Sequence, residues 1–414
     1  MNEWSLLFLA ALALMVVVQA WLARRQLRHV AAHRDEVPPA FAARITLAEH
    51  QRAADYTLAR TRLGQWELLY GCGLLLLWTL GGGLDRLDRL WRMADLPPLA
   101  GGVGLLLSAF LIMALLDLPF ALYRVFSLEQ RFGFNRTTPA LFLGDLAKQT
   151  LLLLLLGAPL AAAVLWLMAG SGAWWWLYVW LVWMGFGLLL LWAYPAFIAP
   201  LFNRFEPLQN DALRARIELL LQRCGFAVSG VFVMDGSRRS AHGNAYFTGL
   251  GRNKRIVFFD TLLKTLGEDE VEAVLAHELG HFHHRHVRQR FIVSAAFSLA
   301  GLALLGLLAQ ADWFYHGLGV TQPSLPTALL LFLLVVPVFT SFLQPLLAAR
   351  MRRHEFEADD FAARQSDAAH LVGALVKLYQ ENASTLTPDP LYSAYHDTHP
   401  PAPVRIAHLT SQGR

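Results

Sequence analysis

Hydrophobic runs dominate the chain. Seven stretches carry almost no charge and are long enough, or nearly so, to cross a bilayer: residues 4–22, 66–80, 100–120, 150–168, 174–198, 291–310 and 327–347. About 20 helical residues span a hydrocarbon core. The pattern therefore predicts an all-α dominated, polytopic membrane protein with about seven transmembrane helices. The second run is short and closes on the triple glycine at 81–83. Asp117, Pro159 and Pro195 interrupt three of the others, which packed helices tolerate when a neighbour or an internal cavity satisfies the polar group. Tryptophans gather at run ends, as in "WWW" at 174–176, where an interfacial aromatic belt is expected.

The polar positions fall into three pieces. Residues 23–65 predict an amphipathic helical arm. Residues 199–288 are long enough to fold, with an amphipathic helix near 208–224 and short strands at "GVFVMD" and "RIVFFD", a small β element. Residues 348–414 predict helix to about 382 and then a Pro-rich end. The expected organisation is 1–198 with five transmembrane helices and the arm, 199–288 as a folded polar segment, 289–347 with helices six and seven, and 348–414 as a polar C-terminal segment.

Composition agrees, with 56% hydrophobic and 16% charged residues, against about 25% charged in a soluble protein. The placement of charge adds an orientation. The 23–65 segment carries eight Arg, and the connection after the third run carries Arg124, Arg131, Arg136 and Lys148. The opposite connections hold Arg86, Arg89 and Arg92, and then none. Cationic loops stay in the cytoplasm, so the N-terminus is expected outside and the C-terminus inside. "MNE" lacks the basic residues of a secretory leader, and "RRQLR" follows the first run, so that run reads as a retained helix. The net charge of +4 is accounted for by topology, and no nucleic-acid motif or partner is implied. Cys72 and Cys224 suggest neither a disulfide framework nor a thiolate metal site. Arginines outnumber lysines 31 to 4, a bias that favours a bacterial source and hence the inner membrane.

Two spans separate the second and third polar pieces, and an even number of crossings returns the chain to one face. Residues from 199–288 and 348–414 can therefore build one site on the cytoplasmic side. The chemistry begins in "EAVLAHELGHFHHRH", residues 272–286. His277 and His281 stand four apart, so on a helix both imidazoles reach one zinc ion, with Glu278 beside them as a base for water. His284 lies on nearly the same face, but three histidines along a straight helix span about 10 Å, too far to share an ion. A metzincin would need glycine at position 284 and histidine at 287, where the chain has His284 and Val287. His283, His284 and His286 are expected to close the helix or lie at the membrane surface, without a metal role.

The third ligand must come from elsewhere, and "RRHEFEADDFAAR" at 352–364 offers the best candidates. Glu355 and Asp359 are four apart, as suits a ligand and a carboxylate that orients a ligating histidine through its other nitrogen. Glu357 and Asp360 face away from Glu355 and are weaker choices; His354, next to Glu355, stays open as an alternative ligand.

Six stretches resemble one family, the type I CAAX prenyl proteases, which are integral-membrane zinc metalloproteases. They are "FSLEQRFGFNRTT" (126–138), "APLFNRFEPL" (199–208), "HGNAYFTGLGRNKRIVFFDTLL" (242–263), "VLAHELGHFHHRH" (274–286), "HEFEADDFA" (354–362) and "HPPAPVRI" (399–406). The resemblance implies a seven-helix chambered barrel with one Zn2+ held by His277, His281 and Glu355, and Glu278 as general base. It further implies that Asn244 binds the substrate backbone, that His399 steadies the oxyanion, and that Arg405 orders the site by pairing with a carboxylate. The partners it implies are membrane lipid and a peptide or protein substrate, prenylated or membrane-associated. A bacterial host makes few prenylated proteins, which leaves broad quality control of membrane proteins as the alternative. Site-2-type proteases would bury HExxH within a span and carry an "LDG" motif, absent here. Heat-shock membrane proteases share HExxH but have fewer spans. A non-enzymatic scaffold would be expected to close its zinc with four ligands, whereas this set has three and a base.

Overall fold

The computed structural model describes residues 1–249 and 254–412. Helix α1 (Glu3–Ala32) is capped by Asn2, and α2 (Leu47–Trp78) by Thr46 with a reciprocal bond to Glu49. The expected arm is thus not a separate element. Its first part extends α1 and its last part begins α2, because capping places the chain break at the Pro-containing turn between them. Gly82, at φ +71°, makes the sharp turn into α3 (Gly83–Met93), so the second run is the apolar end of a long helix.

Helices α4 (Pro98–Tyr123), α5 (Pro139–Gly170) and α6 (Trp175–Ala193) follow, the first and last extended by π-helical turns at Arg124–Glu129 and Tyr194–Ile198. Among the described residues, six helices are long and apolar enough to cross a membrane, or seven if the bent α2–α3 pair is one span. Their outer faces carry exposed apolar side chains such as Leu115, Trp166, Phe197 and Leu307. In water such a surface would drive association. The protein is a multi-pass integral membrane protein.

After α7 (Ala199–Phe202), a four-stranded sheet forms from β1 (Phe205–Pro207), β2 (Gly230–Met234), β3 (Ala245–Thr248) and β4 (Arg255–Phe259), in the order β1-β2-β4-β3. β2 and β4 run parallel, with Phe232 opposite Val257, and the outer pairs are antiparallel. β3 is an edge strand among the described residues. The sequence pattern anticipated β2 and β4, five-residue strands that each carry a continuous apolar run, whereas β1 and β3 are too short to carry a period. Residues 250–253, part of the third resembling stretch, lie outside the described residues.

Helices α8 (Asp211–Arg223), α9 (Asp260–Thr265) and α10 (Glu268–His283) pack on the sheet. The chain then runs through α11 (His286–Leu308), α12 (Asp312–Gly317), α13 (Leu325–Thr340) and α14 (Gln344–Gln365). The tail adds α15 (Ala368–Glu381), α16 (Pro390–His396) and α17 (Ala402–Gln412). The Pro-rich end therefore holds two helices. Asp389 caps α16, and Pro390 occupies its first position, where the missing N–H is no loss.

Two large apolar cores form among the described residues, beside smaller clusters around Tyr56 and Phe41. The membrane core joins Phe8, Leu105, Leu165, Leu305 and Leu331, while the second joins Ile217, Phe258, Leu279, Phe361 and Leu371. Two adjoining cavities of about 680 Å³ and about 960 Å³ are both bordered by Tyr56, Arg60 and Asn382. Asp117, exposed on α4, borders a further cavity of about 310 Å³.

Candidate metal centre

The centre is set by how closely α10 and α14 approach. A Cβ on Gly280 would lie 2.9 Å from Ala358 Cα and 3.0 Å from its carbonyl oxygen. Only glycine against alanine permits this contact, and it brings the HELGH face against Glu355 and Asp359. His277 Nε2 then lies 3.5 Å from Glu355 Oε2, and His281 Nε2 lies 3.4 Å from Glu355 Oε1. The His277 and His281 rings are nearly perpendicular, with centroids 5.0 Å apart.

These separations test the fit to a metal. They are long for hydrogen bonds but match the edge of a tetrahedron with bonds of about 2.0–2.1 Å, roughly 3.4 Å. One ligand atom from each of His277, His281 and Glu355 lies within 4.8 Å of the others. Glu355 is 2% exposed, and its Oε2 accepts no hydrogen bond, although His399 Nδ1 stands 2.7 Å away. The histidine is close enough for an ion pair but out of line for a hydrogen bond. A buried carboxylate oxygen left this way is costly, and a cation shared with two imidazoles would satisfy it.

Both histidines are oriented from behind. His277 Nδ1 lies 2.8 Å from Asp359 Oδ1. Asp359 in turn accepts two hydrogen bonds from Arg405, Nε at 2.8 Å and Nη2 at 2.5 Å. Burial tends to lower the His277 pKa, but hydrogen bonds to Asp359 and Glu355 outweigh it and raise the value to about 9. Burial likewise disfavours the Arg405 charge, and the Asp359 carboxylate more than restores it.

On the other side, His281 Nδ1 lies 3.0 Å from His286 Nδ1, and His286 Nε2 lies 2.8 Å from Glu357 Oε2. His286 is thus buried against His281 and not at the membrane surface. Glu357 holds it, while His354 stacks on His286 and does not join Glu355 as a ligand. His283 and His284 do end α10, where Arg285 turns the chain at φ +57°. Sequence reasoning missed the His286–Glu357 pair, whose members are 71 positions apart.

The remaining expected residues are partly assembled. Glu278 is half-buried and makes no hydrogen bond or ion pair among the described residues. His399 is largely exposed and lines the smaller cavity, and Asn244, at the start of β3, lines the larger. No hydrogen bond among the described residues joins Asn244 to the histidine–carboxylate cluster. Asn382 went unnoticed in the sequence; its Oδ1 lies 3.1 Å from His242 Nδ1 and accepts from Gly243 N at 3.2 Å, fixing the turn before Asn244.

Residues 26–204 match the model of the CAAX prenyl protease N-terminal region, described as five membrane helices, and residues 207–412 match peptidase family M48. The chain belongs to peptidase family M48. It is 31% identical to the CAAX prenyl protease 1 homolog of Caenorhabditis elegans, over 97% of each chain. It is 39% identical to the Arabidopsis thaliana homolog, over 72% of this chain and 70% of that one. The human homolog is 31% identical over 94% and 92%. The crystal structure of S. mikatae Ste24p superposes with a TM-score of 0.90 at 29% identity, covering 99% of each chain. The fold is therefore that of a chambered, mostly helical membrane metallopeptidase, and membership of M48 makes the chain an enzyme that cuts peptide bonds. These relatives are all eukaryotic, so they lend nothing to a bacterial source.

Proposed function

We propose that the protein is a zinc endopeptidase acting on extended peptide segments admitted to its chamber, with CAAX-type C termini as its substrate class. The observation that carries this is the three-donor set of His277, His281 and Glu355 opening beside a half-buried, unpaired carboxylate. Zinc held there would polarise the scissile carbonyl and lower the pKa of water. Glu278 takes the proton from the attacking water and delivers it to the leaving amine. His399, exposed at the rim 2.7 Å from Glu355, donates to the oxyanion as charge develops. Asn244 stands at the head of an edge strand, where an extended substrate can add main-chain bonds and the Asn amide can hold one carbonyl. Asp359 and Arg405 position His277, and His286 with Glu357 positions His281. Arginine-rich connections favour a cytoplasmic site.

The substrate reading rests on the relatives' shared name and on the chamber between the membrane helices and the site, into which a prenyl chain could enter from lipid. The experiment strips the purified protein with a chelator, adds back one equivalent of Zn2+, and follows cleavage of prenylated and unprenylated peptides. Cleavage restored by zinc, and faster on the prenylated peptide, is the expected result. Equal rates on both would favour the quality-control role, and no recovery with zinc would contradict the metal assignment.

A further inference from the structure

We propose that His286, His354 and Glu357 form a second metal site, distinct in its donor atoms from the first and suited to a borderline divalent cation such as zinc. One ligand atom from each of the three lies within 4.8 Å of the others. His286 is 0% and His354 5% exposed, and their rings lie nearly parallel with centroids 4.0 Å apart. His354 Nδ1 is buried with no hydrogen-bond partner, an arrangement that needs a reason. Two imidazoles and one carboxylate, with no thiolate, favour zinc, cobalt, nickel or copper over calcium or magnesium.

Coordination requires one ring to turn, because rings stacked at 6° and 4.0 Å cannot both aim an in-plane lone pair at one ion. His286 Nε2 and Glu357 Oε2 stand 2.8 Å apart, and an ion between them needs a separation larger by roughly half an ångström. Glu357 is one-third exposed and free to move by that amount. Its other oxygen accepts from Arg353 Nε at 3.1 Å, which leaves Oε2 facing the histidines. The positive charges of Arg290 and Arg350 act on His354 and oppose a further cation. The second site therefore fills at higher metal concentrations than the first.

The two sites are also coupled. Across the 3.0 Å contact between His281 Nδ1 and His286 Nδ1, one ring donates and the other accepts. While His286 keeps its hydrogen on Nε2, facing Glu357, this is satisfied. A metal on His286 Nε2 moves that hydrogen to Nδ1, where it meets the hydrogen of His281. Filling both sites costs this hydrogen bond, so each metal weakens the other by the same factor.

The test counts Zn2+ bound to the detergent-purified full chain by equilibrium dialysis. The wild type is expected to take two equivalents, the second at least tenfold more weakly. His354→Phe, which keeps a ring stacked on His286, and Glu357→Ala should take one; two variants guard against one failing to fold. Saturation of the wild type at one equivalent would mean a stacked histidine pair only, and would overturn the site. A weak second equivalent surviving in both variants would also overturn it, as binding elsewhere on the surface. The count does not depend on cleavage, so it stands whether or not the proposed substrate class is right.

Discussion

At His277, burial works against charge and two carboxylates work for it. In the metal-free protein the ring is raised to about 9, so it holds its proton at neutral pH. The stabilisation this gives is complete below the unfolded value near 6.5 and is lost as pH rises through about 9. Zinc requires the neutral ring, so binding near pH 7.5 should release about one proton. Calorimetry in buffers of different ionisation enthalpy would detect it, and no release would contradict the raised value. Asp359 should matter through this same ring. Asp359→Asn keeps the shape but removes the charge that orients His277, with zinc affinity expected to fall about 10- to 100-fold. His399→Ala should leave zinc content unchanged and lower kcat by about 10²-fold, as for loss of an oxyanion donor. A loss of zinc instead would make His399 a support for Glu355.

Among the elements, the crossing of α10 and α14 decides whether there is a site. A Cβ added to Gly280 would meet Ala358 backbone atoms at 2.9–3.0 Å, and backbone cannot swing aside as a flexible side chain can. Gly280→Val is expected to part the helices and abolish tight zinc binding, while the membrane helices stay folded. Retention of one tight equivalent in that variant would show that the crossing is dispensable. The motif's spacing exposed His277, Glu278 and His281 in the sequence because they are four-residue neighbours on one helix. Glu355 was only the best of several carboxylates until the family pattern selected it. The His286–Glu357 pair stayed hidden because it joins residues 71 positions apart. The strands β1 and β3 were hidden for a different reason, being too short to have a period.

For the whole molecule, the apolar runs and their even count between the two polar pieces already required that α10 and α14 share a face. What the runs could not reveal is how the first helix holds the last segment. Arg25 on α1 donates to both Asp389 oxygens, at 3.2 and 2.9 Å, and the Asp389 N–H donates to Gln26 Oε1 at 2.7 Å. Asp389→Ala removes the α16 cap and this tie. It should lower cleavage by releasing the segment that carries His399, while the tight zinc equivalent remains. Loss of zinc and cleavage together would mean global unfolding. The central claim, that this membrane enzyme cuts peptides with Glu278 as base beside a His277–His281–Glu355 metal, has a direct test. Zinc content and peptide cleavage are measured on purified Glu278→Gln. One tight equivalent of zinc with cleavage reduced about 10²- to 10⁴-fold is predicted; full cleavage with zinc still bound would contradict it.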